Sequence, residues 1–265
     1  MKQQKVPERF QDENLASHWK VDETEESFSC LVEQLDSGSN FRPYFKEALA
    51  TVLPRVRQAS GSRSLTVLDL GSGVSWTSAI MANLDDVRHV YAVDPSRERL
   101  KHAEYVMMHS KVPKSKVTLM QGTFEGFHIP ERADLAVLCA SFHHCYDQSV
   151  DTLFSKIKAV LAPGGLVLIA NEHYVDYLFT IHRFASFLKH FPRRRELFYS
   201  LENLRAPYPF DGEHWRTRKE VEAIFKRNGF QPSIFLHDGD LCKEKAPFYK
   251  KVGYHYYYAI LEQVS

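Results

Sequence analysis

The sequence predicts an α/β fold: a doubly wound, mostly parallel seven-stranded sheet with an antiparallel last strand, N-terminal helices and a helical insertion after the fifth strand. Three observations predict it. From Leu65 onward, short apolar runs alternate with helix-period segments, the pattern of a sheet covered on both faces by helices. Two glycines, Gly71 and Gly73, fall where the first such run turns into a helix. The chain closes on two strand-like runs whose connection contains Pro247, and these could pair antiparallel as a long hairpin.

Taken in order, Phe45, Leu49, Val52, Leu53 and Val56 mark a helix ahead of the first strand. Strands are read at Leu65–Leu70, His89–Val93, Val117–Met120, Ala133–Cys139 and Leu166–Ala170. Val150, Leu153, Phe154, Ile157 and Leu161 repeat at one helix face, and Pro163-Gly164-Gly165 then stops the helix and turns the chain. After Ala170 the alternation breaks. Tyr177, Ile181, Phe184, Leu188 and Phe191 form an amphipathic stripe ended by Pro192, and Leu197, Leu201 and Leu204 form a second, so an inserted helical segment is expected. A helix around Val221, Ile224 and Phe225 ends at Gly229, ahead of the closing strands Ser233–Leu236 and Tyr254–Leu261.

Bulk composition narrows the function. The chain has 265 residues, 44% of them hydrophobic and 25% charged, which is ordinary globular composition with length enough for a large core. A formal net charge of +1 lacks the basic excess of a surface that neutralises many phosphates, so a small-molecule or protein partner is favoured over nucleic acid. No apolar run approaches the roughly 20 residues that span a bilayer, and MKQQKVPERF lacks the apolar core of a secretory signal, so a cytoplasmic protein is expected, as monomer or homodimer. Cys30, Cys139, Cys145 and Cys242 are scattered without a CxxC pair, which points to reduced thiols.

The turn Val67-Leu68-Asp69-Leu70-Gly71-Ser72-Gly73 lets backbone approach a ligand that a Cβ would exclude. Asp94 ends the second strand at the separation from it where a carboxylate meets adenosine ribose hydroxyls. With the Ala140-Ser141-Phe142-His143-His144 segment after the fourth strand and the Pro163-Gly164-Gly165 turn before the fifth, the order of motifs resembles class I S-adenosylmethionine (SAM) dependent methyltransferases of the small-molecule type, from about Leu65 to the C-terminus. The resemblance implies SAM as cofactor and S-adenosylhomocysteine (SAH) as product. Asp69, Gly71, Ser72 and Gly73 would form the turn that passes the methionine part, and Asp94 with Pro95 would hold the ribose. Thr123 and Phe124 would border the adenine, and Ala140 and Ser141 would meet the amine. Arg42 would reach the carboxylate. Two departures stand out: Ser75 replaces the motif's third glycine, and Thr123 replaces an acid that contacts the adenine amine in many relatives.

SAM carries its own leaving group, so the protein mainly aligns a nucleophile and removes its proton. The resemblance makes His144 the first candidate base, with His173 second; His214 is read as ordering the loop before the next helix. No metal is expected, because the segment after the fourth strand has no acid and His143, His144 and Cys145 lack the spacing of a helical zinc pair. The expected layout is an N-terminal helical segment or lid (1–60), a SAM-binding core (61–172), a helical acceptor cap (173–216) and a C-terminal helix with strand hairpin (217–265). The cap aromatics Tyr174, Tyr177, Phe179, Phe184, Phe198, Tyr199, Tyr208 and Phe210 would suit an apolar or cationic acceptor, with Arg193, Arg194 and Arg195 a solvated cluster. The expected activity is methyl transfer to an oxygen or nitrogen of a small-molecule acceptor. Rival readings are an RNA or protein methyltransferase, a SAM-binding protein that transfers no methyl, and an NAD-dependent oxidoreductase, whose fingerprint wants glycine where Trp76 stands.

Overall fold

The computed structural model describes residues 19–61, 64–175, 181, 214–237 and 254–264. Helix α1 (Glu25–Glu33), capped by Thr24, passes through a π turn at Gln34–Gly38 into α2 (Phe41–Ser60). Then come β1 (Leu65–Leu70), α3 (Trp76–Ala82), β2 (Val87–Asp94), α4 (Arg97–His109), β3 (Val117–Gln121) and β4 (Ala133–Cys139). The described chain continues with α5 (Asp147–Val160), β5 (Leu161–Val175), α6 (Arg218–Arg227), β6 (Phe230–Leu236) and β7 (Tyr254–Gln263).

The seven strands form one sheet in the order β3-β2-β1-β4-β5-β7-β6. Pairing is parallel from β3 through β5, and β7 runs antiparallel to both β5 and β6. The predicted seven-stranded sheet, its antiparallel last strand and the N-terminal helices are therefore observed, while the inserted helical segment read after the fifth strand lies almost wholly outside the described residues. Alternate strand residues feed two cores. Val67, Leu135 and Leu168 pack beneath the α2 stripe of Phe45, Leu49 and Val52, whereas Leu68, Ala136 and Ile169 face the α5 stripe of Val150, Leu153, Phe154 and Ile157. Each of these side chains is at most 4% exposed, and burial of one of the larger ones is worth roughly 1.5–3 kcal/mol. Chain order reverses at β1, which sends the chain to β2 on one side and has β4 on the other; in such sheets ligands bind outside the carboxyl ends of the strands at this point.

Boundaries differ from the sequence reading mainly at β5. The strand runs through Asn171, Glu172 and His173 to Val175, pairing His173 with Tyr256 and Tyr174 with His255, so the core extends past the boundary read at residue 172. Tyr174 is accordingly a buried strand residue stacked on His255. At the other end, pairing begins at Leu161, yet Gly164 keeps the turn geometry expected of Pro163-Gly164-Gly165, with φ +76°. Tyr177, Phe179, Phe184, Phe198, Tyr199, Tyr208, Phe210 and the arginines at 193–195 lie outside the described residues, as does Cys242. Cys30, Cys139 and Cys145 are free thiols. Among the described residues no helix is long and apolar enough to cross a membrane.

Candidate cofactor pocket and active site

Leaving β1, the chain enters the left-handed region at Gly71, φ +70°, and the amides of Gly71 and Ser72 both donate to the Val93 carbonyl, at 2.8 and 3.0 Å. A Cβ on Gly71 would stand 2.6 Å from the Ser141 Cβ, so glycine is required here by both conformation and space. Ser75, where the motif has its third glycine, is also left-handed, φ +60°. Its hydroxyl bonds Ser72 Oγ at 3.1 Å, a local bond that offsets part of the strain.

Asp94 ties the turn to the tip of β2. Its Oδ2 accepts the Gly73 amide at 2.8 Å and its Oδ1 the Ser96 amide at 2.9 Å. Burial, at 3% exposure, raises its pKa, against the opposing pull of Arg99 and the two amides. Each carboxylate oxygen keeps a lone pair for a further donor. Asp69 plays a different part: its Oδ2 accepts from Thr77 Oγ1 at 2.6 Å and Ser78 Oγ at 2.5 Å, fastening β1 to the start of α3. Desolvation pushes its pKa up to about 6 despite the two hydroxyls.

Beside the turn lies a cavity walled by Gly71, Asp94, Pro95, Thr123, Phe124, Ala140 and Ser141, all named from the sequence. Ser72 and Gly73 line an adjoining cavity of ≈ 290 Å³ with Trp19, Phe41, Trp76 and His143. His144 and Arg99 border both. Asp69 and Arg42 line neither; Arg42 instead pairs with Asp36 at 3.0 Å. Two charged residues that sequence reasoning missed line these cavities. Glu125 lines the first cavity two positions beyond Thr123, and the Arg99 guanidinium reaches 3.9 Å from where a Cβ of Gly73 would be. A wider groove of ≈ 820 Å³, lined by Arg55, Arg132, Lys158 and Glu262, borders the start of β5, away from the glycine turn.

The tip of β4 is held from several sides. Ala140 is left-handed, φ 51°, and Ser141 Oγ donates to the Leu70 carbonyl at 2.9 Å. Phe142–His144 form a 3₁₀ turn. Glu172, 1% exposed in β5, accepts the Phe142 amide at 2.7 Å through Oε1, and its Oε2 lies 3.0 Å from His143 Nδ1. From the segment before α6, the His214 amide donates to the His143 carbonyl at 2.8 Å. Arg216 stacks its guanidinium 4.9 Å over the Phe142 ring, bonds the Phe142 and Cys145 carbonyls, and pairs with Asp147 at 2.8 Å. His173 packs its ring 5.1 Å from that of His143. Ligand-capable atoms of His143, Glu172 and His173 thus fall within 4.8 Å of one another, a grouping that the adjacent His143-His144-Cys145 does not reveal.

Comparison with known proteins bears on the fold that carries this site. Residues 67–165 match the methyltransferase domain family. An uncharacterised methyltransferase of Bacillus cytotoxicus is 27% identical over 146 residues, which is 54% of this chain and 59% of that protein; one of Bacillus mycoides matches to the same extent. The chain thus spans under two thirds of the length of these curated relatives. Among solved structures, the YcgJ protein of Bacillus subtilis superposes with a TM-score of 0.54 at 17% identity, covering 83% of this chain and 98% of that one. A mycolic acid cyclopropane synthase complexed with SAH gives 0.55 at 17%, covering 80% and 84%. A SAM-dependent methyltransferase of Geobacter sulfurreducens in complex with SAH gives 0.51 at 18%, covering 82% and 90%. At these identities the structural likenesses establish the fold. A matching methyltransferase domain model over residues 67–165, a β3-β2-β1-β4-β5-β7-β6 sheet and a glycine turn braced by Asp94 at its switch point make this chain similar to class I SAM-dependent methyltransferases.

Proposed function

We propose that the chain binds SAM across the tips of β1, β2 and β4 and transfers its methyl group to an oxygen or nitrogen of a small-molecule acceptor. The observation that carries this reading is the convergence on one cavity of Gly71, whose backbone approaches without a Cβ, and Asp94, a buried carboxylate with acceptor capacity left for ribose hydroxyls. The pocket fits the cofactor chemically. Thr123 and Phe124 would flank the adenine, and Glu125 supplies an acid for its amine in place of the one missing at Thr123. The Ala140 carbonyl and Ser141 would meet the methionine amine. Arg99 is proposed for the carboxylate in place of Arg42, whose charge is spent on Asp36. SAM, once bound, supplies an electrophilic methyl; the chain supplies alignment, exclusion of water and a place for the acceptor's proton.

Two structural neighbours that share the fold were solved with SAH, which supports the same cofactor here. The balanced charge supports a metabolite-sized acceptor over a nucleic acid. Incubation of the chain with methyl-labelled SAM and fractionated cell extract tests the reading. Label is expected in the small-molecule fraction with SAH formed in equal amount. Label confined to RNA or protein overturns the acceptor class, and no SAH above background overturns the activity.

A further inference from the structure

An oxygen or nitrogen acceptor that enters as O–H or N–H must lose that proton, and sequence reasoning assigned its removal to His144 or His173. The geometry points to a different residue: we propose that His143 is the general base and that Glu172 is the positioning residue that sets it up. This assignment rests on the methyl-transfer reading above and sharpens it.

Glu172 lies inside the sheet at 1% exposure, and both of its oxygens serve the same short turn. Oε1 accepts the Phe142 amide at 2.7 Å while Oε2 meets His143 Nδ1 at 3.0 Å. A carboxylate is an acceptor, so the proton between the two belongs to Nδ1 and the lone pair of the neutral ring is directed from Nε2. The backbone on either side of His143 is also held in place. The His143 carbonyl takes the His214 amide, and Arg216 bonds the carbonyls of Phe142 and Cys145. His143 also lines the cavity that contains Gly71 and Gly73, and its side chain keeps 12% exposure.

In the step this allows, a lone pair of the acceptor oxygen or nitrogen forms a bond to the methyl carbon as the methyl–sulfur bond breaks, its electron pair going to sulfur to leave neutral SAH. The acceptor's proton moves to His143 Nε2. The resulting imidazolium faces the Glu172 carboxylate, which offsets its charge, and later returns the proton to water. Suitable acceptors are therefore alcohols and phenols, which lose O–H as the methyl is transferred, and ammonium groups, which must first give a proton to His143 to free the attacking lone pair; groups that carry no proton have no use for the base.

Three measurements on the full chain test the assignment. Imidazole ¹⁵N spectra at a pH where the ring is neutral are expected to show His143 protonated at Nδ1; a ring protonated at Nε2 overturns it. In the labelled-extract assay, His143→Ala is expected to lower methyl transfer by about 10²–10⁴-fold, while SAH affinity by calorimetry stays within threefold of wild type. Glu172→Gln retains the shape and the bond to the Phe142 amide but removes the charge, and is expected to lower turnover about tenfold or more, with Glu172→Asp recovering part of it. Turnover of His143→Ala within threefold of wild type overturns the proposal and leaves the methyltransferase reading intact. Wild type that binds no SAH overturns both. A manganese or zinc ion bound stoichiometrically by wild type and lost in Glu172→Gln, with chelator-sensitive turnover, also overturns it, since the His143, Glu172 and His173 cluster would then be a metal centre.

Discussion

In the proposed cofactor site Asp94 would carry two duties at once, and the balance between them would set its mutational signature. Its carboxylate pins the amides of Gly73 and Ser96, so it shapes the turn even before a ligand arrives. Hydrogen bonds to a charged group are worth about 1.5–3 kcal/mol, so Asp94→Ala is expected to weaken SAM binding about 10- to 100-fold by calorimetry, and Asp94→Asn by less; equal affinities would remove Asp94 from the pocket. Asp69 contributes a pH dependence of opposite purpose. Its pKa stands near 6 in the folded chain against 3.8, so between those values the folded state retains a proton that the unfolded state has released. Stability from this group is therefore full below about pH 4 and declines as pH rises to about 6, by roughly 3 kcal/mol. Asp69→Asn is expected to flatten that segment of the urea-derived stability curve relative to wild type. A wild-type-like slope in the variant would show that another group is responsible.

At the scale of elements, the β4 tip depends on a segment distant in sequence. Arg216 and His214 precede α6, yet they tie down the turn bearing His143 and His144, and the Val175 amide donates to the Arg216 carbonyl at 2.9 Å. Arg216 is 5% exposed, and its fork meets Asp147 through two nitrogens, a geometry that lysine cannot copy. Arg216→Lys is expected to cost about 2 kcal/mol in denaturant unfolding and to speed amide exchange at His144 and Cys145. Exchange unchanged at those amides would mean that the turn holds without the clamp. This element also shows where sequence reasoning stops. Apolar runs located β1, β3 and β4, and periodicity located α2 and α5, because their burial is written in apolar side chains. The last part of β5 was not legible: Asn171-Glu172-His173 reads as a polar loop, and only tertiary partners make it buried strand. Asn171 donates to the Phe41 carbonyl at 2.8 Å, and Glu172 is satisfied by the β4 turn.

For the whole molecule, the site follows from topology. Reversal of strand order at β1 opens a crevice that the glycine turn, Asp94 and the Ala140-Ser141 tip enter from three strands. Those residues were legible because each sits at a strand end with a local sequence signature. Arg99, Glu125, Glu172 and Arg216 were not, since each acquires meaning only from what the fold brings beside it. For two residues named from the sequence the structure shows structural partners: Asp69 fastens α3 through Thr77 and Ser78, and Arg42 pairs with Asp36.

The most direct measurement is a crystal structure of the chain grown with SAH. The ribose hydroxyls are expected within hydrogen-bond distance of the Asp94 carboxylate, the homocysteine along Gly71–Gly73, and the adenine between Phe124 and Pro95. SAH bound elsewhere, or a crevice that stays closed by side chains at saturating SAH, would contradict the account.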